Sequence, residues 1–458
     1  MRTDASARVR DYVERLAVPA PDLDAVIAAA GRSARRRPGP GPARGWLVPM
    51  LAAAAVVAVV FSIGIAPALP ESAGRPDTGR PSLPDRIAGY SYWTQPVSSD
   101  PPGRAIALYQ QGLGVELFDF PQALVLGADG DTFRRVDVAE ARSAEGDQGD
   151  PAPMRLSPDG TRVVVGTHGA AGDLAVVDLL TGGVTRLPAR ADASVIPLAF
   201  SPDGRSVVAR DQGGQTTPFG GSPNAGALVR FDLVTGNVTR YPGLTQVTAA
   251  AFAPDGRELA VQNGSSLLVV DPATGAVRRT LAERGPPLRS PAAWSPDADL
   301  IAVGPGVSRG IAFVDTSGRG RATPAPVDDV EDPLGWTGPR TLIVKRGGTL
   351  VAVAVDDGTT RVLSVIDAGS SSNFKVDEIY LATGLLDGLT IRSAAWWPDR
   401  GGWPVWAIIA AAWPTGAALA LLVVTIRRLR RPSRRRPPDP GRAHSLRDHA
   451  SGLRWPSR

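Results

Sequence analysis

The sequence predicts an all-β propeller carried between two membrane-spanning helices. Three observations predict it. A Pro-Asp-Gly turn phrase returns every roughly 40 to 60 residues, a second hairpin signal follows each return, and two long uncharged apolar runs flank the repeats.

The phrase first stands at Ser157-Pro158-Asp159-Gly160, ahead of Val163-Val164-Val165. It returns at Ser201-Pro202-Asp203-Gly204 and Ala253-Pro254-Asp255-Gly256, and it lacks its glycine at Ser295-Pro296-Asp297. Thr337-Gly338-Pro339 is a degenerate copy, and Trp397-Pro398-Asp399 is the last. Proline sets φ for a turn, aspartate bonds back to its own backbone, and glycine accepts a positive φ that a β-carbon resists. These carboxylates are therefore read as turn formers, not ligands. Trp294, Trp336 and Trp396, which precede the phrase, are expected to pack between blades.

The second hairpin turns at Asp178 with Thr181-Gly182, Asp232 with Thr235-Gly236, and Asp271 with Thr274-Gly275. Asp315 with Ser317-Gly318 and Asp356 with Gly358 extend the series. Two hairpins make four strands per unit, and four-stranded units repeated radially make a propeller.

From the N-terminus, residues 1–45 carry nine arginines against five acids. Val9, Tyr12, Val13 and Leu16, then Leu23, Val26 and Ile27, give residues 5–30 the spacing of short amphipathic helices. Arg35, Arg36, Arg37 and Arg44 lead into residues 46–69, an uncharged run long enough to cross ~30 Å of hydrocarbon at about 1.5 Å per residue. Arginines on that side predict a cytoplasmic N-terminus. A cleaved signal peptide is the rival, because Ala66-Pro67-Ala68 has small residues suited to cleavage.

Residues 70–86 read as a proline-rich linker, and residues 87–400 as the propeller. Tyr90–Trp93, Ala105–Tyr109, Ala123–Leu126 and Thr132–Val138 are strand-like but lack the phrase. The final phrase has the opposite defect. The two halves are expected to form one composite blade, its inner strand taken from Ile391–Trp396. Closing the ring in this way hides sheet edges that would otherwise template aggregation. Five blades plus the composite give six; the spare runs Val362–Ile366 and Ile379–Leu381 leave seven open.

Residues 403–426 form the second apolar run, with Trp403, Trp406 and Trp413 towards one end and Arg427, Arg428, Arg430 and Arg431 at the other. That is the pattern of a span returning to the cytoplasm. The tail, 427–458, holds eleven arginines and two acids. The whole chain is +5, so the middle is left at about −8, and a membrane between the basic ends and the acidic middle accounts for the segregation. The tail is expected to be disordered and drawn to anionic lipid. No aromatic interleaving or nucleic-acid motif accompanies its charge, and no nucleic-acid partner is expected.

The Ser-Pro-Asp-Gly phrase followed by an apolar-Asp-x-x-Thr-Gly hairpin resembles the WD-repeat-like propellers of the TolB type, over about residues 85–400. The resemblance implies a rigid binding platform and no one ligand. The arginine-rich, almost lysine-free composition resembles that of a high-GC, actinobacterial genome. The N-terminal helical segment, arginine cluster and span also resemble actinobacterial proteins associated with alternative sigma factors, which implies a cytoplasmic regulator bound to residues 5–30.

Chemistry is sparse. There is no cysteine, which excludes disulfides and thiolate metal sites. The three histidines, His168, His444 and His449, have no metal-ligand spacing, and His168 reads as a solvated loop residue. Asp129-Gly130-Asp131 reads as a hairpin, since it lacks the remaining ligands of a calcium loop. Neither a Gly-x-Ser-x-Gly elbow nor a phosphate-cradling loop is present. The expectation is a non-catalytic protein without metal or cofactor, binding another protein through loops such as 139–152 and 211–225. Two convergent carboxylates in the central channel would instead favour a glycoside-cleaving enzyme.

Overall fold

The structure is a computed structural model that describes residues 80–402, apart from 115–119, 220–224, 305–308, 318–321 and 367–373. Both apolar runs, residues 5–30, the eight flanking arginines and the basic tail lie outside the described residues. Among the described residues, no helix is long and apolar enough to cross a membrane.

The chain opens with β1 (Ser82–Pro84), then β2 (Ala105–Gln111), β3 (Gln122–Gly127), β4 (Phe133–Arg135) and a short helix α1 (Asp137–Ala141). Blade 1 is β5 (Met154–Leu156), β6 (Arg162–Val165), β7 (Asp173–Asp178) and β8 (Val184–Pro188). Blade 2 is β9 (Ala193–Phe200), β10 (Ser206–Gly213), β11 (Ala227–Asp232) and β12 (Val238–Arg240). Blade 3 is β13 (Val247–Phe252), β14 (Leu259–Asn263), β15 (Ser266–Val270) and β16 (Val277–Ala282). Blade 4 holds β17 (Leu300–Val303), β18 (Gly310–Asp315) and β19 (Val327–Asp328). Its innermost place is taken by Ala293–Ser295, where Trp294 bridges Ile301. Blade 5 is β20 (Pro333–Trp336), β21 (Thr341–Arg346), β22 (Thr349–Ala354) and β23 (Thr360–Val365). Then come β24 (Val376–Leu381) and β25 (Thr390–Arg392).

Each blade is an antiparallel sheet, and the sixth is assembled from both ends of the repeat region, in the order β24-β2-β3-β4. The fold is thus a six-bladed propeller. Strands covered on both faces by neighbouring blades are buried along their whole length, as are β9, the innermost of blade 2, and β2 and β3, the middle strands of blade 6. Outer strands face water, and β8 and β16 are largely exposed. This gradient makes middle strands such as β2 and β3 near-continuous apolar runs, because burial of apolar surface between blades is the main driving force.

The turn phrase has one geometry. Ser157 Oγ donates to Asp159 Oδ1 at 2.6 Å, and the Thr161 N–H donates to the same oxygen at 3.1 Å. The Arg162 N–H donates to Ser157 Oγ at 2.9 Å. Ser201 with Asp203, and Ser295 with Asp297, repeat the arrangement at 2.6 and 2.5 Å. At Gly160 a side chain is impossible: φ is 72°, and a Cβ would stand 2.0 Å from the Ala105 carbonyl oxygen. The same approach lets the Ala105 N–H donate to the Gly160 carbonyl at 2.8 Å, tying blade 1 to blade 6. Where blade 4 lacks the glycine, Ala298 adopts φ 60° in its place. The second hairpins are capped likewise, Asp178, Asp232 and Asp271 each accepting two backbone N–H bonds.

Several expectations are corrected. The composite blade exists, but its inner strand is β24, not Ile391–Trp396. Ile379–Leu381 is consumed there, and Val362–Val365 lies in the outer strand of blade 5, so no run remains for a seventh blade. Ile391 instead sits in β25, which pairs in parallel with β1: Ser82 with Thr390, Leu83 with Ile391, Pro84 with Arg392. The stretch read as linker up to residue 86 therefore contributes a strand. Tyr90–Trp93 forms none. Pro398 and Asp399 do not make a blade hairpin; Asp399 lies beside Thr132, and its carbonyl accepts the Phe133 N–H at 2.7 Å. Trp294 and Trp336 are buried between blades, whereas Trp396 is 88% exposed.

Candidate functional site

Pleating sends alternate residues of the innermost strands into the central channel. On β5, Met154 is buried between sheets, while Arg155 lines the channel with the largely buried Leu156 beside it. A cavity of about 350 Å³ opens there, walled by Arg155, Arg289, Glu331, Lys345, Asp377 and Glu378 among others.

The acidic wall owes its shape to a β-bulge. Leu108 faces Tyr380 and Gln110 faces Asp377, so two residues of β24, Glu378 and Ile379, stand against Tyr109 alone. Glu378 takes up the extra length at φ 43°. A bulge re-aims side chains, and a non-glycine residue held at positive φ marks strain that the surroundings must sustain. As a result the adjacent residues Asp377 and Glu378 both line the cavity. No sequence motif announced this bulge.

The charged groups engage one another. The Arg155 guanidinium lies 4.3 Å over the Tyr380 ring and donates to the carbonyls of Leu198 (3.1 Å) and Met154 (2.7 Å). The Tyr380 hydroxyl is 3.3 Å from Glu378 Oε2. Lys345 Nζ lies 3.1 Å from Glu331 Oε2 and donates to the Val376 carbonyl at 3.0 Å. Glu378 has exposed surface yet is crowded by protein. That desolvation raises its pKa, with Arg155 opposing and Asp377 adding to the rise. Burial likewise raises Asp332, against the pull of Arg289.

Beside the channel, the two long loops singled out in the sequence converge. Thr217 Oγ1 donates to the Gly146 carbonyl at 2.9 Å. Between them His168 and Asp147 are buried, so His168 is not a solvated loop residue. His168 Nδ1 is 2.8 Å from Thr216 Oγ1, and its Nε2 is 3.8 Å from Asp147 Oδ1. Burial pushes His168 down to about 4, with Arg210 adding to the effect, and pushes Asp147 up to about 6. Both shifts disfavour the charged form, and with His168 held neutral the contact is not an ion pair at neutral pH. Among the described residues no group of histidines and carboxylates is arranged to hold a metal ion.

The turn residues Pro158, Asp159, Pro202, Asp203, Pro254, Asp255, Pro296 and Asp297, with Gly160, Gly204 and Gly256, sit at the hairpins between first and second strands; of these only Pro158 reaches the cavity. The carboxylates that do reach it, Glu331, Asp332, Asp377 and Glu378, escaped sequence reasoning. They lie in the least regular repeats, and only the run Val376-Asp377-Glu378-Ile379 signalled paired acids inside a strand.

The fold and the charged channel define a six-bladed β-propeller. The chain is similar to the crystal structure of TolB from Acinetobacter baumannii, at 19% identity and a TM-score of 0.42, over 61% of this chain and 67% of that one. No family model matches the chain, and no curated protein does.

Proposed function

We propose that this protein is a non-catalytic, membrane-anchored binding scaffold or sensor. Its propeller is held outside the cytoplasmic membrane by spans at 46–69 and 403–426, with both termini inside. The observation that carries the reading is where the propeller's ends meet. The segments 80–97 and 390–402 are woven together on the outer edge of blade 6, as when Gln95 N–H donates to the Arg400 carbonyl at 2.8 Å. Two spans can leave from one such edge without straining the ring. The mutual engagement of Arg155, Tyr380, Glu378, Lys345 and Glu331 supports a recognition wall over a reaction centre.

Crosslinking in intact membranes tests this, comparing the full chain with one lacking residues 5–30. Envelope proteins recovered equally from both are the expected result. A cytoplasmic factor recovered only with residues 5–30 would favour the alternative, a transmembrane regulator of the anti-sigma kind. One observation favours a third reading, a carboxylate-dependent glycoside hydrolase: Asp377 and Glu378 line one cavity, where burial pushes the Glu378 carboxyl up. Hydrolysis of aryl glycosides by the full chain and its loss in Glu378→Gln would establish that instead.

A further inference from the structure

We propose that the edge of blade 6 bearing Trp396 and Trp397 is a membrane-contact surface seated in the lipid headgroup layer; this rests on the two-span reading above. The pair is 88% and 81% exposed, whereas Trp294 and Trp336 are 5% and 7% exposed. Indole joins a large apolar body to one N–H donor, and such side chains concentrate at headgroup level.

The pair is not on a loose end. The Ala394 N–H donates to Asp85 Oδ1 at 2.9 Å, and the Ala395 N–H donates to Asp131 Oδ2. After the pair, Asp399 is held by Arg134, and Arg400 Nη1 donates to Thr94 Oγ1 at 2.9 Å. The propeller therefore grips the chain as far as Arg400. Only Gly401 and Gly402 separate that grip from Trp403, where the uncharged run begins. Three residue steps extend at most about 11 Å, and a headgroup layer is about 5–7 Å thick. Once 403–426 spans the bilayer, Arg400 is held within about 4–6 Å of the outer limit of the headgroup layer, close enough for exposed indoles on this edge to enter it. The adjoining segment also offers aromatic surface, with Tyr92 53% and Trp93 43% exposed just before Thr94 and Gln95 meet Arg400.

The absence of cysteine makes a direct test simple. Single cysteines carrying a nitroxide are placed in the full chain, reconstituted in phosphatidylcholine–phosphatidylglycerol vesicles. The positions are Trp396→Cys, Ser393→Cys (which keeps both tryptophans), Val277→Cys on the outer strand of blade 3, and Ala418→Cys within the second apolar run. The measurement is the ratio of collisions with oxygen to collisions with a water-soluble nickel complex. The expected order is highest at 418, intermediate at 396 and 393, and lowest at 277, with 396 several-fold above 277. A lipid-like ratio at 418 with 396 and 393 no higher than 277 overturns the contact surface and leaves the spans standing. A water-like ratio at 418 overturns both. Spin–spin broadening at 396 with low access to both reagents assigns the edge to a second copy of the chain and overturns the lipid assignment.

Discussion

Arg134 and Asp399 meet across the outer edge of blade 6, joining residues 265 positions apart. Arg134 Nη2 lies 3.2 Å from both carboxylate oxygens of Asp399, and Nη1 donates to its carbonyl at 3.0 Å. The same guanidinium, 5% exposed, is 2.9 Å from Asp100 Oδ2 and donates to the Asp100 carbonyl at 3.0 Å. One side chain thus ties β4 to both flanking segments. Arg134→Ala is expected to cost about 1.5–3 kcal/mol, the range for hydrogen bonds to charged groups. Asp399→Asn should cost less, because Asp100 remains. Urea unfolding of the detergent-solubilised full chain measures both, and equal midpoints for Arg134→Ala and the parent would mean that the two segments are not docked here.

Closure of the ring depends on β24, not on β25. Leu381 is 4% exposed in the core that joins blade 6 to its neighbours, whereas Ile391 is 36% exposed. Leu381→Ala is expected to cost about 2–5 kcal/mol, and Ile391→Ala well under 1 kcal/mol. Thermal melts of the two variants decide it. If Ile391→Ala were the more damaging, the inner strand of the composite blade would have to be reassigned.

How far these features were legible in the sequence follows from where their causes lie. The phrase at Pro158, Pro202, Pro254 and Pro296 works through bonds within five residues, so a linear reading recovers the hairpins, and hairpins at blade period recover the propeller. The inner strand of blade 6 is chosen by a different force, burial against β2. Ile379 and Leu381 meet that condition, while Ala394–Trp397 only looked like a phrase by local composition. The cavity was illegible for a similar reason: its charged wall is assembled from strands about 220 residues apart, and a bulge at Glu378 depends on register with Tyr109. His168 was misread because its burial comes from two loops that meet only in three dimensions.

The serine of the turn phrase is testable against a variant the chain already contains. In blades 1, 2 and 4 a serine hydroxyl bridges the aspartate and a backbone N–H; in blade 3 the methyl of Ala253 stands there. Ser201→Ala is expected to cost about 1 kcal/mol and Ala253→Ser to gain about 0.5–1 kcal/mol. The carboxylates add a pH dependence. Burial pushes Asp159 and Asp203 up, but bonds from serine and backbone outweigh it and hold both below their ordinary 3.8. A carboxylate depressed on folding stabilises above its unfolded pKa, and that stabilisation is lost as pH falls through the folded value. The double variant Asp159→Asn, Asp203→Asn should therefore be less stable at neutral pH and lose less on acidification below about pH 4. Parallel acid limbs for variant and parent would count against it.

His168 gives a separate signature at milder pH. It is 4% exposed, and burial together with Arg210 lowers it from 6.5 to about 4. Between those values the unfolded chain takes up a proton that the folded chain refuses, so this group removes stability as pH falls from 6.5 towards 4. Asp147, raised from 3.8 to about 6 by burial, works in the other direction: the folded chain holds its proton, so its contribution is present at low pH and is lost as pH rises through 6. In the parent protein the two partly cancel. His168→Gln removes only the first, keeps a polar group facing Thr216, and leaves Asp147 in place. Relative to the parent, the variant should gain about 2–3 kcal/mol between pH 7 and pH 4.5, read from urea midpoints at the two pH values. An unchanged difference would mean that the imidazole accepts its proton in the folded state at its ordinary pH, and that the contact with Asp147 is an ion pair.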